Sequence, residues 1–170
     1  MAVNGTDELT IGEEVWIATA LLHREHPSEP DFSRSQIEDR LRRENIVGRF
    51  RAGVRPHIYL HAVANRPPNP GRLRMLFATV DDRRRLFRVG DVYDTEREGP
   101  VDRGGTRVHP DHAAIPARYR DLVDWYLSEY SPGLANGSGS DPILTLYGLG
   151  KSIWDEPADA YVQRLRADWA

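Results

Sequence analysis

The stretch that organises the chain runs from Ser33 to Gly90 and reads SRSQIEDRLRRENIVGRFRAGVRPHIYLHAVANRPPNPGRLRMLFATVDDRRRLFRVG. It holds fourteen arginines against five acidic residues, which gives it a net charge of +9. The complete chain of 170 residues has a net charge of −3, so the acids are concentrated elsewhere. Charge separated in this way favours one surface for a polyanion and other surfaces for different partners.

The first half of this stretch predicts two helices. Ser33 is placed to cap a helix that runs through Ile37 and Leu41, and Gln36 completes a capping box. After a glycine-containing connection, residues 55–65 predict a second helix, with a proline in its first turn. The proline-rich run that follows would end this helix.

Two short apolar runs, residues 73–80 and 86–89, then predict the strands of a β-hairpin. The polar turn between them would carry Arg83, Arg84 and Arg85 at its tip. Helix, turn, helix and basic-tipped hairpin is the order of a winged helix-turn-helix, whose second helix enters the major groove of DNA. The predicted fold class is therefore α+β, a winged helix-turn-helix with an extra C-terminal helix and a tethered amphipathic helical tail.

Candidate DNA contacts lie on the approach to the second helix, on that helix and on the hairpin, where they would meet phosphates or base edges. They are Arg49, Arg51, Arg55, His57, Tyr59, Arg72, Arg74, Arg83, Arg84 and Arg85. The outward face of the second helix stays open, and a solvated arginine surface is the alternative interpretation. Codon usage rich in G and C would also favour arginine, since Lys151 is the only lysine.

The chain divides into four predicted parts. A first helix is expected over residues 7–24, or from Thr10 onward, with Trp16 in the core. Residues 91–116 lack periodicity and predict a linker, and a helix follows that packs on the basic module. The boundaries are 1–90 for the DNA-binding domain, 91–130 for the linker and packing helix, 131–140 for a flexible linker, and 141–170 for a partner-binding tail.

The tail predicts an amphipathic helix from about Pro157. Tyr161, Val162, Leu165 and Trp169 share one face of it. Aromatic side chains left exposed beyond a Gly/Ser-rich linker are improbable in a soluble monomer, so something must cover them. Two alternatives stay open: the tail folds back on its own domain or a dimer mate, or it docks on a different protein.

The segment GLGKSIW at 148–154, followed by DAYVQRLRADW at 159–169, resembles the C-terminal tail of VapB-type antitoxins. Such tails wrap a PIN-domain ribonuclease toxin. The resemblance implies that Trp154, Tyr161, Leu165 and Trp169 fill grooves of the toxin, with Val162 on the same face. It also implies that Arg164 or Arg166 approaches the acidic, metal-binding centre of the toxin, where an arginine would neutralise the carboxylates.

The N-terminal part departs from those antitoxins, which commonly carry a much smaller DNA-binding domain. It is similar to a poorly characterised prokaryotic winged-helix family with a His-x-x-x-His-x-x-x-Asn-x-Pro-Pro-x-Pro run, here His57 to Pro70. Together the two resemblances imply an antitoxin that binds double-stranded operator DNA and neutralises a ribonuclease toxin, as a homodimer or a toxin–antitoxin hetero-oligomer. The alternatives are a regulator or protein-interaction adaptor without a toxin, and an accessory subunit of a defence nuclease.

No enzyme is expected, because the sequence has no P-loop, nucleophile elbow or paired carboxylates in the basic stretch. The chain has no cysteine, which excludes disulfides and thiolate metal sites. His57 and His61 have metal-ligand spacing but lack a third ligand, so we predict no metal and no cofactor. The N-terminus lacks the features of a signal peptide, and we expect a cytoplasmic protein.

Overall fold

The fold is taken from a computed structural model, which describes residues 9–68, 71–98 and 107–134. The chain divides into two units, Met1–Ala135 and Asn136–Ala170. All described residues belong to the first unit, which combines helices with a small antiparallel sheet and is therefore α+β. The predicted tail and its partner-binding residues lie outside the described residues.

Helix α1 spans Ile11–Glu25 and begins where the later of the two predicted starts placed it. The hydroxyl of Thr10 accepts the backbone N–H of Glu13, and the carboxylate of Glu13 accepts the N–H of Thr10. This capping box satisfies two N–H groups that the helix cannot pair internally. Trp16 is fully buried, as predicted for a core residue.

Helix α2 spans Arg34–Glu44 and starts with the predicted capping box, since Ser33 and Gln36 exchange side chain to backbone hydrogen bonds. It ends at Asn45, whose backbone is left-handed with φ of 49°. Asparagine tolerates this conformation better than most residues, which suits it to a helix C-terminus.

Helix α3 spans Val54–Pro56 and continues as a π-helical turn over His57–His61. The prediction extended it to residue 65, which is too far. Ala62 and Ala64 leave the helix because their backbones hydrogen-bond to the strand that follows: the N–H of Ala64 donates to the carbonyl of Leu76 at 2.7 Å.

Strands β1, Leu76–Ala78, and β2, Arg84–Leu86, form the predicted hairpin, but both are shorter than expected and β2 begins earlier. Their antiparallel register pairs Leu76 with Leu86. The turn occupies residues 79–83. Asp81 and Asp82 both have positive φ, a conformation typical of a tight two-residue hairpin turn.

Phe32, just before α2, adds a third row to this sheet. It forms an antiparallel bridge with Arg84, with both backbone hydrogen bonds at 2.8 Å. The side chain of Phe32 is buried. The hairpin is thereby joined to the start of α2, and its position beside the helix pair is fixed.

The described parts of the predicted linker, residues 91–98 and 107–116, are mostly irregular backbone, as a loop predicts, and they also pack against the domain. Residues 95–97 form a turn of 3-10 helix, and the side chains of Arg97, Val108 and Ile115 are buried. Sequence periodicity fails to reveal such a segment because it packs through single side chains in irregular backbone.

Helix α4 follows in three parts, Ala117–Tyr119, Arg120–Trp125 and Tyr126–Tyr130. Its buried side chains pack against Trp16 and the rest of the core, and the Trp16 and Tyr126 rings meet edge to face at 5.4 Å. The helix therefore belongs to the core, as predicted. In the described part of the chain, no helix is both long and apolar enough to cross a membrane.

Candidate nucleic-acid interface

Helix α3 turns one side to the core and the other to solvent. Val54 and Ile58 are buried. Arg55, with 66% of its side chain exposed, and Tyr59, 47% exposed, lie on the other side. Residues four apart are neighbours on a helix surface, so these two form one outward row. The orientation that the sequence left open is thus fixed.

Tyr59 lies against two arginines from other segments. The guanidinium carbon of Arg34, at the start of α2, is 5.4 Å from the ring centre, and that of Arg66 is 5.0 Å from it. Both arginines also reach the carboxylate of Asp82, at 3.3 and 2.6 Å. Partial burial opposes the charge of Asp82, but the hydrogen bond from Arg84 and the nearby guanidinium groups lower its pKa.

A second carboxylate, that of Glu38 on α2, holds the next two arginines. Its Oε2 accepts from Arg55 Nε at 3.0 Å and from Arg42 Nη2 at 3.3 Å. The guanidinium group of Arg42 also stacks on the ring of Phe50, with its carbon 4.2 Å from the ring centre. Four arginines therefore surround the outward side of α3. Three carboxylates hold them, because Asp39 also lies 3.4 Å from Arg42. We call Arg34, Arg42, Arg55 and Arg66 the interface arginines.

A shallow cleft lies between the end of α2 and the start of α3. Leu41, Ile46 and Val54 are among the apolar side chains that line it. Arg49 is exposed at its edge, and no carboxylate within the described ranges lies at salt-bridge distance from it. Arg51, also predicted to contact DNA, is bound internally, because its guanidinium group reaches Glu14 at 2.6 Å.

Arg84 is not at an exposed tip, which corrects the prediction for the hairpin. It lies in β2 and is fully buried. Its Nε donates to the carbonyl of Ile58 at 2.9 Å, and its Nη2 lies 2.8 Å from the carboxylate of Asp82. Burial lowers the pKa of Arg84 in spite of this carboxylate. The register of the hairpin explains the error, because the side chain of every second residue of a strand points to the core.

Arg83 and Arg85 are also bound to carboxylates. Arg83 forms a salt bridge with Asp31, which precedes α2. Arg85 makes two parallel hydrogen bonds of 2.6 Å to Asp91, the bidentate geometry in which arginine binds carboxylates most strongly. The turn itself carries Val80, Asp81 and Asp82, so the hairpin tip is acidic where we predicted it to be basic.

Three further predicted contacts have mixed outcomes. Arg72 is exposed and donates to the carbonyl of Glu98 at 3.3 Å. Arg74 is buried and stacks on the ring of Tyr93 at 4.3 Å. His57 is half-buried, with its Nδ1 hydrogen-bonded to the carbonyl of Gly53 at 2.8 Å, and burial lowers its pKa. Of these three side chains, only that of Arg72 is exposed enough to contact a large partner.

The net charge of the basic stretch is partly balanced by acids from outside it. The sequence count included only acids within residues 33–90, whereas the fold brings others to it. The pairs are Arg40 with Glu25, Arg51 with Glu14, Arg83 with Asp31, and Arg85 with Asp91. The surface is consequently much less basic than the sequence implies.

Sequence reasoning therefore missed Arg34, Arg42, Arg66, Glu38 and Asp82 as members of this candidate interface. One signal was available, since Arg34, Glu38 and Arg42 recur every four residues along α2 and must share a face. The His57 and His61 rings lie 4.9 Å apart. In the ranges that the structure describes, no group of three histidine or acidic side chains is placed to hold a metal ion.

Comparisons with protein-family models, with curated proteins and with solved structures found no match to this chain. The functional argument therefore depends on the geometry of α2, α3 and the hairpin.

Proposed function

We propose that this protein binds double-stranded DNA through a winged helix-turn-helix, with α3 in the major groove. The observation that carries the proposal is the convergence of four arginines, from three segments of the chain, around the exposed row of α3. Arginine N–H groups bind phosphates, and an exposed tyrosine among them reaches base edges or sugar.

The order of elements supports the same proposal. Helices α2 and α3 are joined by residues 45–53, and the hairpin follows at a position fixed by the Phe32 bridge. The proposed contacts are the interface arginines with Arg49 and Tyr59. At the hairpin tip Asp82 is paired with arginines, while Asp81 has no salt bridge to a described residue and would be repelled by phosphates. We therefore assign the hairpin a supporting role and no DNA contact.

The test is fluorescence anisotropy with a labelled duplex of random sequence, measured over a series of salt concentrations. Arg55→Gln should weaken binding and reduce the salt slope by roughly one, because each lost phosphate contact removes about 0.9 from it. Arg24→Gln is the matched control, since Arg24 is also exposed and paired with one carboxylate, Asp121. Equal affinities and slopes for the two variants would refute the interface.

We further propose, on the resemblance of residues 148–169 to antitoxin tails, that the C-terminal part binds a PIN-type ribonuclease toxin. The protein would then repress its own promoter and neutralise the toxin. A pull-down of the co-expressed toxin tests this assignment. It compares the intact chain with a 1–140 truncation, and only the intact chain should retain the toxin. Retention by both forms would contradict the assignment to the tail.

The interaction adaptor is the second candidate function, and one observation favours it: the interface arginines are already paired with carboxylates. Such a face suits a protein surface with alternating charges. Absence of duplex binding at low salt, with the protein folded, would favour the adaptor over the DNA-binding protein.

A further inference from the structure

We propose that Glu38 is a specificity-determining residue, which competes with DNA phosphates for Arg55 and Arg42 and so weakens binding to random DNA. The inference rests on the proposed DNA-binding function. Under this inference the charge of Glu38 opposes DNA binding, whereas the charges of the interface arginines favour it.

The geometry around Glu38 carries the inference. One oxygen, Oε2, accepts hydrogen bonds from both arginines, at 3.0 Å from Arg55 and 3.3 Å from Arg42. A phosphate oxygen would use the same N–H groups, because guanidinium binds carboxylate and phosphate alike. The two arginines are exposed by 66% and 43%, so a phosphate can reach them, whereas Glu38 is only 18% exposed.

Because Glu38 is much less exposed than the two arginines, binding of phosphates to the arginines has a cost at Glu38. When the arginines turn to DNA, the Glu38 carboxylate is left half-buried beside a polyanion and without its partners. That state is unfavourable because a desolvated charge loses its compensation while like charges approach. Random DNA offers only phosphate contacts to offset this cost, whereas an operator adds contacts to base edges.

A purely structural role for Glu38 is the competing explanation. Glu38 and Arg42 are four residues apart on α2, and such pairs stabilise a helix by a few tenths of a kcal/mol. Arg55, however, comes from α3, so the carboxylate also links the two helices. Both roles predict a loss of stability when Glu38 is replaced, but only competition predicts tighter binding to random DNA.

The same arrangement occurs a second time on this face. Asp82 holds Arg34 and Arg66, the other two interface arginines, at 3.3 and 2.6 Å. With Asp39, which lies 3.4 Å from Arg42, three carboxylates hold all four, and this cluster has a net charge of +1 where the arginines alone would give +4. Arg49 at the cleft is the contrast, being exposed with no carboxylate at salt-bridge distance within the described part of the chain.

The experiment compares Glu38→Gln with Glu29→Gln in the full chain. Both changes remove one negative charge and keep the shape of the side chain, but no described side chain pairs with the exposed Glu29. We expect Glu38→Gln to bind a random duplex about tenfold more tightly at moderate salt, with a salt slope steeper by about one, because Arg55 becomes available to phosphates whereas Arg42 keeps its ion pair with Asp39 at 3.4 Å. Glu29→Gln should change the affinity less than about twofold, since it alters only the long-range field.

A double variant, Glu38→Gln with Arg55→Gln, shows which group gains the contact. The increase in affinity should largely disappear in it if Arg55 is the group released. Circular dichroism of each variant before titration establishes that it is folded. If Glu38→Gln fails to fold, Asp39→Asn carries the expectation of tighter binding through Arg42, because Asp39 is exposed and lies 3.4 Å from that arginine.

The outcomes separate the two proposals. If the wild-type protein binds duplex and loses affinity with Arg55→Gln, but Glu38→Gln brings no increase, the competition is refuted and DNA binding stands. If neither the wild-type protein nor Glu38→Gln binds duplex at low salt, both proposals are overturned. Binding by Glu38→Gln alone would support both.

Discussion

Replacing Arg97 by methionine is expected to lower the free energy of unfolding by about 3–5 kcal/mol. Arg97 is fully buried. No carboxylate of the described residues lies at salt-bridge distance from it, and backbone carbonyls solvate its guanidinium group. The shortest of these hydrogen bonds reach the carbonyls of Arg66 and Leu73 at 2.6 Å and of Leu60 at 2.8 Å.

The magnitude follows from the groups that methionine would leave without a donor. Six hydrogen bonds are lost, of which three are 2.8 Å or shorter, and each buried carbonyl that stays without a partner costs about 1–3 kcal/mol. Removal of a desolvated charge offsets part of this loss, since burial already lowers the pKa of Arg97 to about 10. A net loss of about 3–5 kcal/mol is a large part of the roughly 5–15 kcal/mol typical of a domain.

Urea denaturation followed by circular dichroism measures this loss. With a slope of about 1–3 kcal/mol per molar urea, the midpoint should fall by roughly 2 M. Arg72→Met is the control, because Arg72 is exposed and makes one hydrogen bond of 3.3 Å, and its effect should stay within about 0.5 kcal/mol. A fall of less than about 0.5 M for Arg97→Met would show that the carbonyls find water or new donors, and would refute the reasoning.

Three further predictions concern buried polar groups. Burial, with Arg88 and Arg85 nearby, lowers the pKa of His23 to about 4. As the pH falls, the unfolded chain protonates His23 before the folded protein does, so the contribution of His23 to stability falls by about 2–3 kcal/mol between pH 6.5 and pH 4. His23→Gln should therefore flatten the pH dependence of the unfolding free energy in that range, measured by urea titration, and an unchanged slope would contradict this. Arg84→Met should lower stability by about 2–4 kcal/mol in urea yet leave the duplex affinity of the folded protein unchanged, whereas the predicted basic tip requires weaker binding. Tyr126→Phe removes a buried hydroxyl that donates to the carbonyl of Phe87 at 2.6 Å and should cost about 1–2 kcal/mol by calorimetry; a cost near zero would mean that the bond is not formed in solution.

Features set by neighbouring residues were predictable from the sequence. The capping box of Ser33 and Gln36 depends on residues three apart, and it occurs as expected. The burial of Trp16 and of the apolar face of α4 follows from helical periodicity in the same way. The start of α2 and the buried faces of the helices could therefore be predicted without knowledge of the fold.

The hairpin register and the packing of residues 91–98 and 107–116 depend on contacts far along the chain. A shift of a strand by one residue exchanges its inner and outer faces, so the position of Arg84 could not be read from an arginine triplet. Nothing in the sequence indicated that the N–H donors of Arg97 would reach carbonyls 24 to 37 residues away. Such contacts are fixed by the complete fold.

Whether an arginine adds positive potential to the surface depends on the groups that its guanidinium binds in the folded protein. Arginines whose donors are used inside the protein, as those of Arg84 and Arg97 are, add little to the surface potential. The exposed arginines around α3 contribute less positive potential to the surface than unpaired arginines would, because Glu38 and Asp82 lie among them. Their donors nevertheless stay at defined positions, which favours recognition by geometry over attraction by charge. Random DNA is recognised mainly by charge, and this is why removing the Glu38 carboxylate should raise affinity for it most.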